Sequence, residues 1–284
     1  MREIALKIGK PTALTAIATE PENFDCNKPA VIIFNSGVMH HTGTCRISVK
    51  IARQLADAGF LALRFDFSAI GDSEARRGTQ TFNESAVSES KEVMDFLQQK
   101  KGISKFIAYG LCSGADASYE IAKVDNRIVG IAQIDAYCYT NYKWFVNRYI
   151  KRALHPSMWP KIIMKLLDLV KPKDNSSSNG VEEEFLELPS YIRVFPPKND
   201  VADSFQSIVD RNIHIYTIFT GDMLEVNYQN QFREVFSDVD FKHLLREEYY
   251  PELEHIITSP TYQKIIPDNL TQWVEHVDQQ VGQQ

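Results

Sequence analysis

The sequence predicts an α/β fold, in which a mostly parallel sheet is covered by helices on both faces. Short apolar runs recur along the chain with helical patterns between most of them, and the runs at 30–35 and 60–65 are apolar almost throughout. The front of the chain differs, because the β-like runs at 2–8 and 12–18 follow each other directly. We therefore expect a strand pair first and βα alternation afterwards.

The later β-like runs lie at 105–109, 128–134 and 213–219. A helical pattern at about 84–100 leads into the first of these runs, and an amphipathic helix follows His255 near the end of the chain. With 284 residues, 44% of them hydrophobic, the chain can bury a full core. We expect one domain that carries an insertion.

The predicted insertion is a helical cap. The sequence predicts two apolar-faced helices around 142–153 and 158–170 with no strand between them. The polar stretch KPKDNSSSNGVEEE that follows has the composition of a solvated loop. We therefore assign 1–136 and 190–284 to the core and 137–189 to the cap.

Composition excludes several classes of protein. A net charge of −6 and a pI near 5.7 give no overall attraction to nucleic acid or to an anionic membrane. The first segment, MREIALKIGK, alternates like a strand and lacks the apolar run of a signal peptide or membrane span, so we expect a cytoplasmic protein without an integral membrane segment. No glycine-rich phosphate or dinucleotide loop occurs in the sequence, and we expect no cofactor.

The cysteines point to free thiols. The four residues, Cys26, Cys45, Cys112 and Cys138, are few and scattered, and none forms a C-x-x-C pair. A disulfide framework and a metal site are therefore not expected.

One of these cysteines lies in a pattern that carries chemistry. The segment KFIAYGLCSGADASYEIAK reads as a strand, a Gly110-x-Cys112-x-Gly114 turn and a helix. Glycines at these positions let the backbone double back without a clash, and the start of the helix favours a thiolate at Cys112. The pattern resembles the nucleophile elbow of the α/β-hydrolase superfamily, with cysteine where serine is usual.

The resemblance extends over nearly the whole chain. VIIFNSGVMHHTG follows a strand as the oxyanion segment does in the superfamily, although Ser36 and Gly37 replace His-Gly. GFLALRFDFSAIGDSEARRG is similar to the stretch that follows the fourth strand, and His255 stands after a short strand and before the last helix, where the superfamily has its catalytic histidine. The oxyanion loop, the elbow and IDAYCYT resemble a bacterial subgroup that includes hydrolases associated with exosortase systems.

The resemblance implies roles for these residues. Cys112 is the expected nucleophile, His255 the expected acid–base group, and the backbone N–H groups of Val38 and Ser113 the expected oxyanion donors. Gly37 and His40 are expected in the substrate pocket, although His40, like its neighbour His41, is equally compatible with a solvated loop.

The acid of the triad stays open. Asp222 follows the strand that carries the acid in most of the superfamily, but its spacing from the preceding glycine is irregular. Asp135 ends the preceding core strand, and Glu225 is a third choice. Asp66 and Asp72 are expected to hold the turn after their strand.

The implied activity is acyl transfer from an ester or thioester to water or another acceptor through a covalent acyl-enzyme, with a thioesterase-like reaction favoured. The first alternative is a non-catalytic relative that binds a ligand or a protein, which the departures from the superfamily pattern would explain. The second is a membrane-peripheral accessory protein.

The cap offers a clue to a partner. Residues 143–173 include eight lysines and arginines and a single acidic residue, Asp168, in a chain that is acidic overall. This run is either a solvated helix face or a docking surface for an acyl carrier protein, a coenzyme A thioester or an anionic lipid surface. The basic residues are Lys143, Arg148, Lys151, Arg152, Lys161, Lys165, Lys171 and Lys173.

Overall fold

A single mixed sheet organises the chain, with strand order β1-β2-β4-β3-β5-β6-β7-β8. β1 pairs antiparallel with β2 and β2 antiparallel with β4, and every other pairing is parallel. The strands are β1 (Arg2–Ile8), β2 (Leu14–Glu20), β3 (Ala30–Ile33), β4 (Ala62–Phe65), β5 (Phe106–Leu111), β6 (Ile128–Ile134), β7 (His214–Thr220) and β8 (Leu245–Tyr250). All of the predicted β-like runs are strands, and the short strand expected before His255 is β8.

The computed structural model describes residues 1–10, 12–76, 80–153 and 193–282. The second predicted cap helix and the polar stretch after it lie outside the described residues.

Helices follow most of the parallel strands, as the alternating pattern predicts. The described α-helices are α1 (Ile47–Asp57), α2 (Phe82–Lys101), α3 (Ser113–Val124), α4 (Tyr142–Ala153), α5 (Lys198–Asp210), α6 (Gln231–Val235) and α7 (Tyr262–Val281). α2 begins with a capping box, in which Thr81 and Glu84 satisfy each other's backbone N–H groups, and it ends at Gly102 with φ +74°. None of the described helices is long and apolar enough to cross a membrane.

The core consists of two layers, one on each face of the sheet. Successive residues of a strand point to opposite faces, so Ile32 belongs to one buried cluster and Ile33 to the other. α2, α3 and α5 contribute to the first layer, and α1 and α7 contribute to the second. Burial on both faces explains why the middle strands are apolar almost throughout.

This topology gathers the loops that follow β3, β5, β6 and β7 at one edge of the sheet, because the carboxyl ends of parallel strands meet there. The loop after β3 carries Gly37 and Val38, Cys112 follows β5, Asp135 follows β6, and Asp222 follows β7. The fold thus brings together residues that are far apart in the sequence.

Candidate active site

Cys112 stands on a sharp turn between β5 and α3. Its backbone has φ +55° and ψ −117°, a conformation that side-chain-bearing residues rarely adopt. The turn requires the neighbouring glycines: a Cβ on Gly110 would lie 2.1 Å from the main-chain carbon of Gly114, and a Cβ on Gly114 would lie 2.4 Å from the carbonyl oxygen of Asn35. The turn leaves the thiol half-buried at the start of α3.

His255 and Asp135 form a pair beside this thiol. The Nδ1 atom of His255 lies 2.5 Å from Oδ2 of Asp135, whose side chain is 0% exposed. The backbone N–H and the hydroxyl of Thr220 each donate to the same carboxylate at 2.8 Å. Asp135 has φ +53°, and its backbone N–H donates to the carbonyl of Ile218 on β7. Thr220 and the backbone therefore fix the orientation of the carboxylate independently of its contact with the imidazole.

The other two acids considered from the sequence act elsewhere. Oδ2 of Asp222 accepts a hydrogen bond from the backbone N–H of His255 at 2.9 Å, which anchors the loop and not the ring. At Glu225 the backbone carbonyl accepts from the side chain of Gln231. Of the three candidates, the structure places only Asp135 against the imidazole.

The pKa values of His255 and Cys112 are both shifted by their surroundings. The hydrogen bond to Asp135, followed by the interaction with Cys112, raises the pKa of His255 to about 10. Burial alone would raise the pKa of the Cys112 thiol, but His255 and the charge of Arg193 outweigh it and hold that pKa below its usual value. Both shifts favour a thiolate beside an imidazolium, which is the nucleophilic form of cysteine.

Arg193 is a member of this cluster that the sequence analysis does not find. Its Nε and Nη2 atoms donate to the two carboxylate oxygens of Asp116 at 2.7 and 2.5 Å, and its Nη1 donates to the backbone carbonyl of Asp135 at 2.9 Å. The guanidinium also stacks 4.9 Å from the ring of Tyr137. A fixed cation thus stands near the thiol and lowers its pKa, although Arg193 is 81 positions from Cys112 and belongs to no recognisable motif.

Comparison with known proteins gives a likeness in structure alone. No protein-family model matches the chain, and no curated protein is detectably similar to it in sequence. A proline iminopeptidase from Mycobacterium smegmatis superposes with a TM-score of 0.59 at 16% identity, with 98% of this chain and 100% of that one covered. An esterase from Pyrococcus furiosus gives 0.59 at 12% identity, over 97% and 90% of the two chains. An α/β serine hydrolase homologue from Coxiella burnetii gives 0.55 at 11% identity, over 95% and 96%.

The chain has an α/β-hydrolase fold. This confirms the fold class predicted from the sequence. Cys112 stands on the tight turn that follows the fifth strand of this fold.

The oxyanion region of an α/β-hydrolase fold combines an N–H after the nucleophile with one from the loop after the third strand. Here the two segments touch, because the backbone N–H of Gly37 donates to the hydroxyl of Ser113 at 2.7 Å. The backbone N–H of Val38 makes no hydrogen bond to any described residue, and its side chain is 85% exposed. The expected donors, Val38 and Ser113, therefore lie on adjoining segments beside Cys112.

The histidines of the loop after β3, His40 and His41, make their hydrogen bonds away from Cys112. The ring of His41 bonds to Oδ2 of Asp66 at 2.7 Å, while Asp66 also accepts from the backbone N–H groups of His41 and Asp72. Asp66 thus holds the turn, as expected. His40 contacts the hydroxyl of Thr42 and lines a cavity beside α1. Its place in a substrate pocket stays a prediction.

A cluster of possible metal ligands lies in the same turn. Side-chain atoms of His41, Asp66 and Asp72 fall within 4.8 Å of one another, a grouping that the sequence analysis did not predict. Both oxygens of the Asp66 carboxylate already accept hydrogen bonds from the protein, so the cluster is explained by its role in holding this turn together.

Proposed function

We propose that the protein is a cysteine-dependent hydrolase or acyltransferase that acts on esters or thioesters through Cys112, His255 and Asp135. The observation that carries this proposal is the His255–Asp135 pair, in which Nδ1 lies 2.5 Å from the buried carboxylate, together with the lowered pKa of Cys112 that His255 causes. This arrangement has the nucleophile, the base and the orienting acid of a triad in the required order.

The proposed reaction has two halves. The Cys112 thiolate attacks the substrate carbonyl, the carbon–sulfur bond forms, and the oxyanion is stabilised by the Val38 and Ser113 N–H groups. When the tetrahedral intermediate collapses, the leaving alkoxide or thiolate takes the proton from the His255 imidazolium. Water or another acceptor then attacks the thioester, gives its proton to His255, and releases the acyl group as the thiolate reforms.

Exposed apolar side chains beside the site favour an apolar acyl group. Val38 follows Gly37, Ile256 follows His255, and Leu224 lies in the loop after β7, and each is more than half exposed. α4 borders the same loop, because Trp144 donates from its indole N–H to the Leu224 carbonyl at 3.1 Å. These side chains would contact the acyl group of a substrate bound at Cys112, and the esterase among the structural neighbours supports an ester substrate.

The partner proposed from the basic cap depends mostly on residues outside the described part of the chain. Of the basic side chains that are described, Lys143 pairs with Glu234 at 2.7 Å and Arg148 stacks over the ring of Trp144 at 5.0 Å. An acyl carrier protein or a coenzyme A thioester remains our proposal for the acyl donor, and it would engage the other lysines and arginines of the cap.

The test is acylation followed by intact and peptide mass spectrometry. The protein is mixed with p-nitrophenyl butyrate or the butyryl thioester of N-acetylcysteamine and quenched in acid within one turnover. We expect a single butyryl adduct on Cys112 in the wild-type protein and in Cys45→Ala, a matched control that removes an exposed thiol. Turnover that survives in Cys112→Ala would contradict the proposal.

A further inference from the structure

An open cavity of about 640 Å³ lies on the sheet face that α1 covers, and the triad residues do not line it. Its walls come from β1, β2, β4, the first turns of α1 and the loop around His40. The charged side chains of the wall are Glu3, Arg46, Arg53 and Arg64, and Ala5, Ile17 and Val49 supply apolar surface.

The cavity wall carries a net positive charge. Glu3 bridges two of the arginines, because its carboxylate accepts from Arg53 at 2.8 Å and from Arg64 at 3.1 Å. Arg46 makes no ion pair with any residue that the structure describes. Three guanidinium groups against one carboxylate leave a formal charge of +2 in a protein whose net charge is −6.

Arg64 is incompletely satisfied. It lies in the middle of the apolar strand β4, its side chain is 4% exposed, and its Nε atom is buried with no hydrogen-bond partner. A buried donor without a partner destabilises a protein unless another group supplies an acceptor. Burial lowers the pKa of Arg64, Glu3 opposes that effect, and the charges of Arg53 and Arg46 add to it. Arg64 thus combines a buried donor that has no partner with a place in a wall of surplus positive charge.

Backbone strain places the third arginine. Gly43 has φ +69°. Cys45 and Arg46 have φ +48° and +62°, which non-glycine residues seldom adopt. Arg46 is also the N-cap of α1, where no side chain caps the helix. The helix start adds partial positive charge on the same side of the cavity.

We propose that this cavity binds a small phosphate monoester, with the phosphate between Arg46, Arg53 and Arg64. The formal charge of +2 matches a dianion, and guanidinium forks suit phosphate oxygens. Cavities of about 300–1,000 Å³ hold small organic ligands, so the volume accommodates an organic group beyond the phosphate. Ile17 and Val49 would contact that group.

The test is calorimetric titration of the full chain at constant ionic strength with phenyl phosphate, phenyl sulfate and inorganic phosphate. We expect phenyl phosphate to bind most tightly, since phenyl sulfate lacks the second charge and inorganic phosphate lacks the apolar group. Glu3→Gln should bind phenyl phosphate at least as tightly as wild type, because it removes the competing carboxylate.

Variants locate the binding. Arg46→Ala and Arg53→Ala should each weaken phenyl phosphate binding by about tenfold or more, the usual effect of losing a charge-assisted contact. Lys50→Ala, which removes the same charge from α1 outside the cavity wall, should leave the affinity unchanged. Arg46 is exposed, so its variant should fold normally.

Three results would overturn the proposal: no saturable binding of phenyl phosphate by the wild-type protein, equal affinity for phenyl sulfate, or an Arg46→Ala variant that binds like Lys50→Ala. Binding is measured without turnover, so the result is independent of the proposed acyl transfer.

Discussion

Replacing Asp135 by asparagine tests which aspartate, Asp135 or Asp222, orients the imidazole of His255, a question that the sequence leaves open. The carboxylate of Asp135 accepts the Thr220 N–H on Oδ1 and the His255 Nδ1–H on Oδ2. In Asp135→Asn the amide oxygen stays with the Thr220 N–H, because two donors cannot face each other there. The amide nitrogen then faces Nδ1 of His255, which must lose its proton to accept. The imidazole becomes the Nε2–H tautomer and can no longer take a proton from the Cys112 thiol.

The size of this effect follows from the same contact. Asp135 is the largest cause of the raised pKa of His255, so the variant should bring that pKa from about 10 down toward 6.5. Loss of the correct tautomer in a triad lowers kcat by about 10⁴, and we expect a loss of 10³-fold to 10⁴-fold. The assay is hydrolysis of the butyryl thioester, with imidazole titration by NMR as a second readout.

Asp222→Asn is the matched control, because asparagine keeps an oxygen that can accept the His255 backbone N–H. We expect its kcat to stay within about fivefold of wild type, the cost of weakening one hydrogen bond. If Asp222→Asn lost as much activity as Asp135→Asn, the assignment of the acid would be refuted.

Three further predictions concern the turn at Cys112 and the nearby Arg193. Gly110→Ala places a Cβ against the backbone of Gly114, so urea unfolding should show a loss of about 3 kcal/mol or more, and an unchanged stability would contradict the packing. Arg193→Met removes a fixed cation, so the pKa of Cys112 should rise and iodoacetamide labelling at pH 6.5 should slow; Arg193→Lys should recover part of the rate, whereas identical slowing would argue against a charge effect. Cys112→Ser should retain little turnover of the butyryl thioester, because the raised pKa of His255 suits a thiolate partner, and turnover at the wild-type rate would contradict this.

Much of the fold can be predicted from the sequence, because burial on both faces of the sheet requires strands that are mostly apolar, and amphipathic helices alternate with them. The Gly-x-Cys-x-Gly turn could also be predicted. A Cβ on Gly110 or Gly114 would lie 2.1 or 2.4 Å from backbone atoms, so both positions require glycine. Local sterics of this kind leave a local sequence pattern.

The sequence could not show which aspartate contacts the imidazole of His255. Asp135 and Asp222 follow neighbouring parallel strands and reach the same edge of the sheet. What separates them is the left-handed backbone of Asp135, with φ +53°, and the two donors of Thr220. Neither feature produces a spacing rule along the chain.

Arg193 and the cavity beside α1 arise from contacts between distant segments. Arg193 meets Asp116 across 77 positions, and Arg64 meets Glu3 across 61. One sign was present in the sequence, an arginine in the middle of the apolar run FLALRF, since a charge there is buried only when something pairs with it. Its partners could not be named without the strand pairing.

The pairing of Cys112 with His255 is tested by the rate of Cys112 alkylation by iodoacetamide from pH 5 to 9, read by peptide mass spectrometry. Cys112 should react below its usual thiol pKa of about 8.5, and faster at pH 6 than Cys26 or Cys45. His255→Ala should abolish this advantage. Slow labelling of Cys112 at pH 6, unaffected by His255→Ala, would show that the cysteine and the histidine do not act as a pair.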